Sequence, residues 1–284
     1  MNDIAHRLER ITEIFKRAQQ ISYVEEDLTT IIEHLDSADF EFRSIAYEGA
    51  SMGLGLRDLA EGADFPRWRY LMEGPGADHN VQVHLGLGWA FANRRISPSA
   101  FIKTLDPLLS FRIWDGWGHY DGIMRSRLSI NSHKRSEEIQ EKYFHAYDRG
   151  LGRSLWYRCK GDYTQISDTI AGFSAERHQD LWMGIGTACT YIGGFEEITL
   201  KELASSAAGH HLQLAKGTVM AAMTRIQAKT HNPYTEMACR IWCNCSATEA
   251  MQITLKAEPS FALNPDCVFE VWLSQIEFKL QLLQ

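Results

Sequence analysis

Residues 146–157 read Ala146-Tyr147-Asp148-Arg149-Gly150-Leu151-Gly152-Arg153-Ser154-Leu155-Trp156-Tyr157, and the glycine pair at their centre decides the fold. The same Gly-x-Gly stands at Gly53-Leu54-Gly55, Gly86-Leu87-Gly88, Gly116-Trp117-Gly118 and Gly184-Ile185-Gly186, and a single Gly217 continues the series. The first glycines are 33, 30, 34, 34 and 33 residues apart. A period of that size suits a pair of helices with their turns. Glycine inside a helix costs about 1 kcal/mol relative to alanine, so something must offset five such pairs. Either neighbouring backbones press together where the side chain is missing, or the gap leaves room for a ligand. Close packing is the simpler of the two.

Outward from the glycines the periodicity is helical. Ile4, Leu8, Ile11 and Phe15 line one face of a first helix, and Leu28, Ile31, Ile32 and Leu35 that of a second. Asp162 is placed to cap a helix carrying Ile166, Ile170 and Phe173, and Ser246 with Glu249 matches a capping box. The seven prolines fall at helix starts or loops, as at Pro66, Pro98 and Pro233. Residues 81–87 come nearest to strand alternation, in a helical context. The fold class is therefore all-α, a helical-repeat (α/α) architecture.

A longer duplication overlies the short one. Ala46-Tyr47-Glu48 returns as Ala146-Tyr147-Asp148, and the segment from His84 to Ala90 resembles that from Trp182 to Ala188. Two related, pseudo-symmetric halves follow, about 40–130 and 140–230. They lie within a single helical domain of residues 40–284, behind an N-terminal helical extension of residues 1–39.

The chain has 284 residues, 45% of them apolar and 23% charged, with a net charge of −7. That balance disfavours nucleic acid as a partner. No apolar run is long enough to span a bilayer, and the charged start lacks a signal-like apolar core, so the expected location is cytoplasmic. Most of the six cysteines sit in apolar helical context and read as buried thiols. Cys239, Cys243 and Cys245 are the only metal-like cluster, without a C-x-x-C or a nearby histidine. No metal and no cofactor are expected. No copy of the glycine pair completes a dinucleotide fingerprint, and no hydrolase or protease signature is present.

These stretches also resemble a family. Arg149 to Tyr157, Asp115 to Gly122 and Glu48 to Gly53 are similar to signatures of the UnbL-type domain of unknown function. Asp180 to Gly186, Leu214 to Gly217 and Thr235 to Cys239 support them. The resemblance runs from about residue 45 to 275. It implies a setting in bacterial specialised metabolism, in enediyne and related polyketide gene clusters, and carries no settled reaction. The chain departs from the pattern at Tyr120-Asp121, where a glutamate is expected, and at Lys216, where a glutamine is expected.

Five residues are candidates for acid–base chemistry. Asp115 and His119 lie one helical turn apart with Asp121 beyond them, an arrangement in which a carboxylate can orient imidazole. The structural alternative makes Asp115 an N-cap and His119 a core hydrogen-bonding residue. Glu48 and Asp148 occupy matching places in the two halves and either face one cavity as an acid and a base or pair with Arg57, Arg149 or Arg153. Arg149 and Arg153, one turn apart, present a face for a carboxylate or phosphate. Trp89, Trp117, Trp156 and Trp182, beside the glycines, line either an apolar pocket or the core. His210-His211 reads as a solvated helix start.

Three functions fit. The first is an accessory biosynthetic protein holding a hydrophobic, unsaturated polyketide- or terpenoid-like molecule. The second is a cofactor-independent acid/base cyclase or isomerase acting on such a molecule. The third is a helical scaffold for a protein partner. Expected partners are a small hydrophobic molecule, no nucleic acid and no membrane span, while apolar end faces permit a homodimer.

Overall fold

The computed structural model describes residues 3–62, 64–207, 209–259 and 267–283. Seven long helices dominate: α1 (Asp3–Val24), α3 (Arg43–Glu61), α5 (Asn80–Arg94), α6 (Pro107–Met124), α8 (Phe144–Arg158), α10 (Ala175–Ile192) and α12 (His211–Gln227). Shorter ones lie between and after them: α2 (Leu28–Asp36), α4 (Pro66–Glu73), α7 (Ser126–Ser129), α9 (Tyr163–Ala171), α11 (Glu197–Ser206), α13 (Pro233–Cys243), α14 (Ala247–Lys256) and α15 (Val268–Gln281). The fold is all-α, and no strand occurs among the described residues. None of these helices is long and apolar enough to cross a membrane.

The long helices pack side by side in chain order and all run the same way. Residues 49 and 53 of α3 meet residues 15 and 19–23 of α1, and residues 118 and 122 of α6 meet 147 and 154 of α8. Successive residues of an α-helix are about 100° apart, so positions i and i+2 face nearly opposite sides. This is what each glycine pair uses. A Cβ on the first glycine would strike a carbonyl of the preceding long helix: Glu48 for Gly86, Leu85 for Gly116, Asp115 for Gly150, Arg149 for Gly184 and Met183 for Gly217. A Cβ on the second would strike the following one: Ile113 for Gly88, Tyr147 for Gly118, Leu181 for Gly152 and Leu214 for Gly186. Each of α5, α6, α8 and α10 thus has two bare flanks, with a neighbour's backbone on either side.

This geometry corrects the register at the first copy. Gly49, not Gly53, is the glycine whose Cβ would strike the preceding helix at a place matching the rest, with Ser51 two residues on. Gly53 repeats the contact with α1 one turn later. Glu48 therefore corresponds to Leu85, Asp115, Arg149 and Met183, the residues just before the first glycine, and Asp148 lies one position earlier. The matching of Ala46-Tyr47-Glu48 with Ala146-Tyr147-Asp148 is out of step by one residue, whereas that of His84 with Trp182 is in step.

Local signals behave as the residues dictate. Asp162 caps α9, accepting from the amides of Thr164 and Gln165, both at 3.0 Å. Ser246 and Glu249 close the capping box of α14, and Pro66, Pro107 and Pro233 stand at the starts of α4, α6 and α13. Residues 81–87 belong to α5. Asp115 is not a cap, because α6 begins at Pro107 behind Asp106 and Asp115 sits in its middle. Between α5 and α6 the return holds only a 3-10 turn at 101–104, so not every interval is a pair of α-helices.

The array curls back on itself. Arg225 on α12 donates to the carbonyls of Tyr191, Thr230 and Glu41. Arg7 on α1 donates to Ile192 O, at the end of α10, at 2.9 Å. Ile4, Leu8 and Ile11 of α1 are buried in the same core as the later helices.

Candidate functional site

The curl leaves a cavity of about 660 Å3, open to solvent on one side, between α1 and the inward faces of α3, α5, α6 and α8. Leu8, Ile11, Phe15 and Gln19 form its roof. Its far wall is Met52, Trp89, Asn93, Tyr120 and Tyr157, with Glu48 and His119 at the base. Lys16, Arg158 and Lys160 stand exposed at the mouth. Trp89 is wedged edge-on against His119, centroids 5.1 Å apart, and tilts against Phe15 at 4.8 Å. Tyr120 accepts from Asn93 at 3.0 Å.

Among the described residues, three groups on this surface lack a hydrogen-bond partner. Both ring nitrogens of His119 are buried without a hydrogen-bond partner, as is Trp89 Nε1. Burial, reinforced by the positive charge of Arg153, holds the His119 pKa well below its ordinary value, so the ring is neutral. No hydrogen bond or ion pair among the described residues reaches the Glu48 carboxyl, which is 3% exposed. Burial raises its pKa to about 7; Arg153 opposes the rise and Asp115 adds to it. A neutral base and an acid titrating near neutrality therefore share one largely apolar surface.

Behind them lies an ion pair. Arg153 donates to Asp115 at 2.9 Å, and Arg112, one turn before Asp115, approaches its other oxygen at 3.6 Å. Burial works against the charge on Arg153, but Asp115 and then Glu48 more than offset it, and its pKa is raised.

The remaining sequence candidates lie elsewhere. Asp121 accepts from Ser136 at 2.6 Å, Tyr147 at 3.1 Å and Arg125 at 3.2 Å. Asp148 is clasped by Arg177 and Arg135, their Nε atoms at 3.0 and 3.2 Å. Arg149 spans Asp180 at 2.9 Å and Glu270 at 2.6 Å. Trp117 stacks on Trp114, Trp156 packs edge-on against Phe195, and Trp182 is buried in the core. Glu48 pairs with none of Arg57, Arg149 and Arg153 by contact, and Arg57 instead bonds Glu26 at 2.5 Å. Among the described residues no group of three or more His, Cys, Asp or Glu is placed to hold a metal ion, Cys239, Cys243 and Cys245 included.

Reading the sequence did not assign Phe15, Asn93, Tyr120, Tyr157 or Arg112 to the site, although it placed Phe15 on an apolar helix face and marked Tyr120 as a departure from the family pattern. A usable signal existed for four of them. Positions −4, +3 and +7 from the first glycine share the inward face with −1, which selects Arg112, Tyr157 and Asn93 beside Trp89 and His119. Tyr120 follows His119 directly. Phe15, on a helix without a glycine pair, had no such marker.

The fold defines an all-α protein whose parallel helices leave a cavity beneath α1. The chain belongs to the family described as a protein of unknown function (DUF1702), whose model matches residues 1–280, the roof helix included. No match was found among curated proteins or among solved structures.

Proposed function

We propose that this is a cytoplasmic accessory protein of bacterial specialised metabolism that holds a hydrophobic, unsaturated polyketide- or terpenoid-like molecule beneath α1. The carrying observation is the unpartnered Glu48 and His119 at the base of a cavity whose exposed lining surface is mostly apolar and whose charged residues stand at its rim. A space of about 660 Å3 suits such a ligand. Buried polar groups without partners are costly, and a ligand bearing one polar function would satisfy them while its body covers Trp89 and Met52. Retinol, a neutral conjugated polyene, is a direct probe. Saturable quenching of tryptophan fluorescence is expected, and filling the space with Met52→Trp should weaken it at least about tenfold. Absence of saturable binding by the unaltered protein defeats the reading.

The pairing of acid and base favours an isomerase as the second reading. Glu48 would give its proton to one carbon of a conjugated system while His119 removes one from another, shifting the double bonds without net loss. The proton then returns from imidazolium to carboxylate. In that case Glu48→Gln and His119→Gln keep retinol binding and lose turnover of the true substrate. Retained turnover in both removes this reading and leaves the first.

A further inference from the structure

A second, much smaller space lies on the axis of the helical array. The inward faces of α3, α5, α6, α8, α10 and α12 leave a chamber of about 20 Å3, enough for one water or one small ion. Ile45 and Tyr157 line both this chamber and the outer cavity and so form the wall between them. Gln82, Arg112, Arg153, Thr187 and Thr224 bring polar groups to it.

Charge around the chamber does not balance. Arg112 and Arg153 share Asp115, and Arg153 holds the shorter contact, 2.9 Å against 3.6 Å. Arg112 is 5% exposed, and its Nε has no hydrogen-bond partner. Burial lowers its pKa to about 10 although Asp115 counteracts. Arg149, on the same face, is already neutralised by Asp180 and Glu270. Glu48 is the further carboxyl acting on Arg153, and in its protonated form it supplies no charge. A buried guanidinium left short of counter-charge is strongly unfavourable. The neighbouring space is of ionic size; the unpartnered Tyr191 hydroxyl and the Gln82 side chain line it, while the hydroxyls of Thr187 and Thr224 already donate to the Met183 and Met220 carbonyls.

We infer that this chamber is an anion site, in which Arg112 and Arg153 bind a monovalent anion no larger than a carboxylate. The anion comes from one of two sources. It is a free ion, or it is the carboxylate head of the molecule whose apolar body fills the outer cavity, reaching past Tyr157. The second source rests on the proposed ligand, and the first does not.

Two measurements decide it. Crystals soaked in sodium bromide should show an anomalous peak between Arg112 and Arg153, a test that needs no variant. Decanoate should bind at least about tenfold tighter than methyl decanoate, and Arg112→Gln should abolish that preference. A bromide peak without an acid preference identifies a free anion, whereas an acid preference dependent on Arg112 identifies the ligand head. Bromide binding with neither decanoate nor its ester retained supports the anion site and sinks the proposed ligand class alone. The inference is overturned by an empty or water-filled chamber together with equal binding of acid and ester. It is also overturned if the preference survives in Arg112→Gln and disappears in Arg158→Gln, which would move recognition to the mouth.

Discussion

Glu48 and Asp148 sit in almost identical peptides and meet opposite fates. Each follows a tyrosine whose hydroxyl donates to an aspartate, Tyr47 to Asp36 at 2.9 Å and Tyr147 to Asp121 at 3.1 Å. Asp148 is gripped by two arginines, while Glu48 faces a cavity with no partner at all. The difference is one residue of register. Measured from the glycine that touches the preceding helix, Glu48 is at −1 and Asp148 at −2, a rotation of about 100°. Position −1 looks inward, as in Asp115. From −2, Asp148 meets Arg177 of α10 and Arg135 of the loop before α8. Likeness of three residues does not establish equivalence in a helix; the phase against a backbone contact does.

The comparison breaks first at Asp148. Asp148→Asn leaves Arg177 and Arg135 facing an uncharged amide, and a loss of about 3–5 kcal/mol of unfolding free energy in urea is expected. A loss under about 1 kcal/mol would show that the clasp is dispensable.

Glu48→Gln should do the reverse, and in a pH-dependent way. The folded-state pKa of about 7 lies above the ordinary 4.5, so the folded form binds the proton more tightly than the unfolded chain. Stability from this group is complete below about pH 4.5 and is lost as pH rises to 7. Glutamine mimics the protonated acid at every pH. The variant should therefore match the natural protein at pH 4.5 and exceed it at pH 8 by up to about 3 kcal/mol. A difference independent of pH rules out a strained Glu48.

Register is tested by the glycines themselves. Gly49→Ala and Gly150→Ala place a methyl within 3.0 Å of a neighbouring backbone carbonyl, and each should cost about 1–3 kcal/mol despite alanine's better helix propensity. Gly55→Ala meets only the side chains of Leu87 and Ala90 and should cost less than Gly49→Ala. If Gly55 proves the more costly, the original alignment of the pairs was right. The smallest effect belongs to Gly172→Ala, whose added methyl finds its nearest atom at 3.4 Å in a right-handed backbone. That change should be neutral or stabilising by up to about 1 kcal/mol in thermal melts.

Much of this was written in the chain. Helix class, the caps at Asp162 and Ser246, and the glycine series follow from local chemistry, and the series also marks which way each helix faces. Counting −1 and +3 from the first glycine would have gathered Asp115, His119, Arg149, Arg153 and Trp89, and set aside Asp121, Asp148, Trp117 and Trp182; Glu48 joins them only once the backbone contact moves the first copy's register from Gly53 to Gly49. The roof was not legible. Its cavity-facing residues have ordinary amphipathic spacing, and their role depends on a contact between Arg7 and Ile192, 185 residues apart.

That contact bears on how the chain is assembled. During synthesis α1 emerges early, yet its anchors just beyond α8, at Gly161, and at the end of α10, at Ile192, appear only after some 150 further residues. Until then Ile4, Leu8 and Ile11 have no lasting berth at that end, so the compartment gains that part of its wall only in a late, long-range step. A guest molecule would meet a wide trough on the ribosome and, in the finished fold, a narrower one that keeps its mouth at Lys16, Arg158 and Lys160.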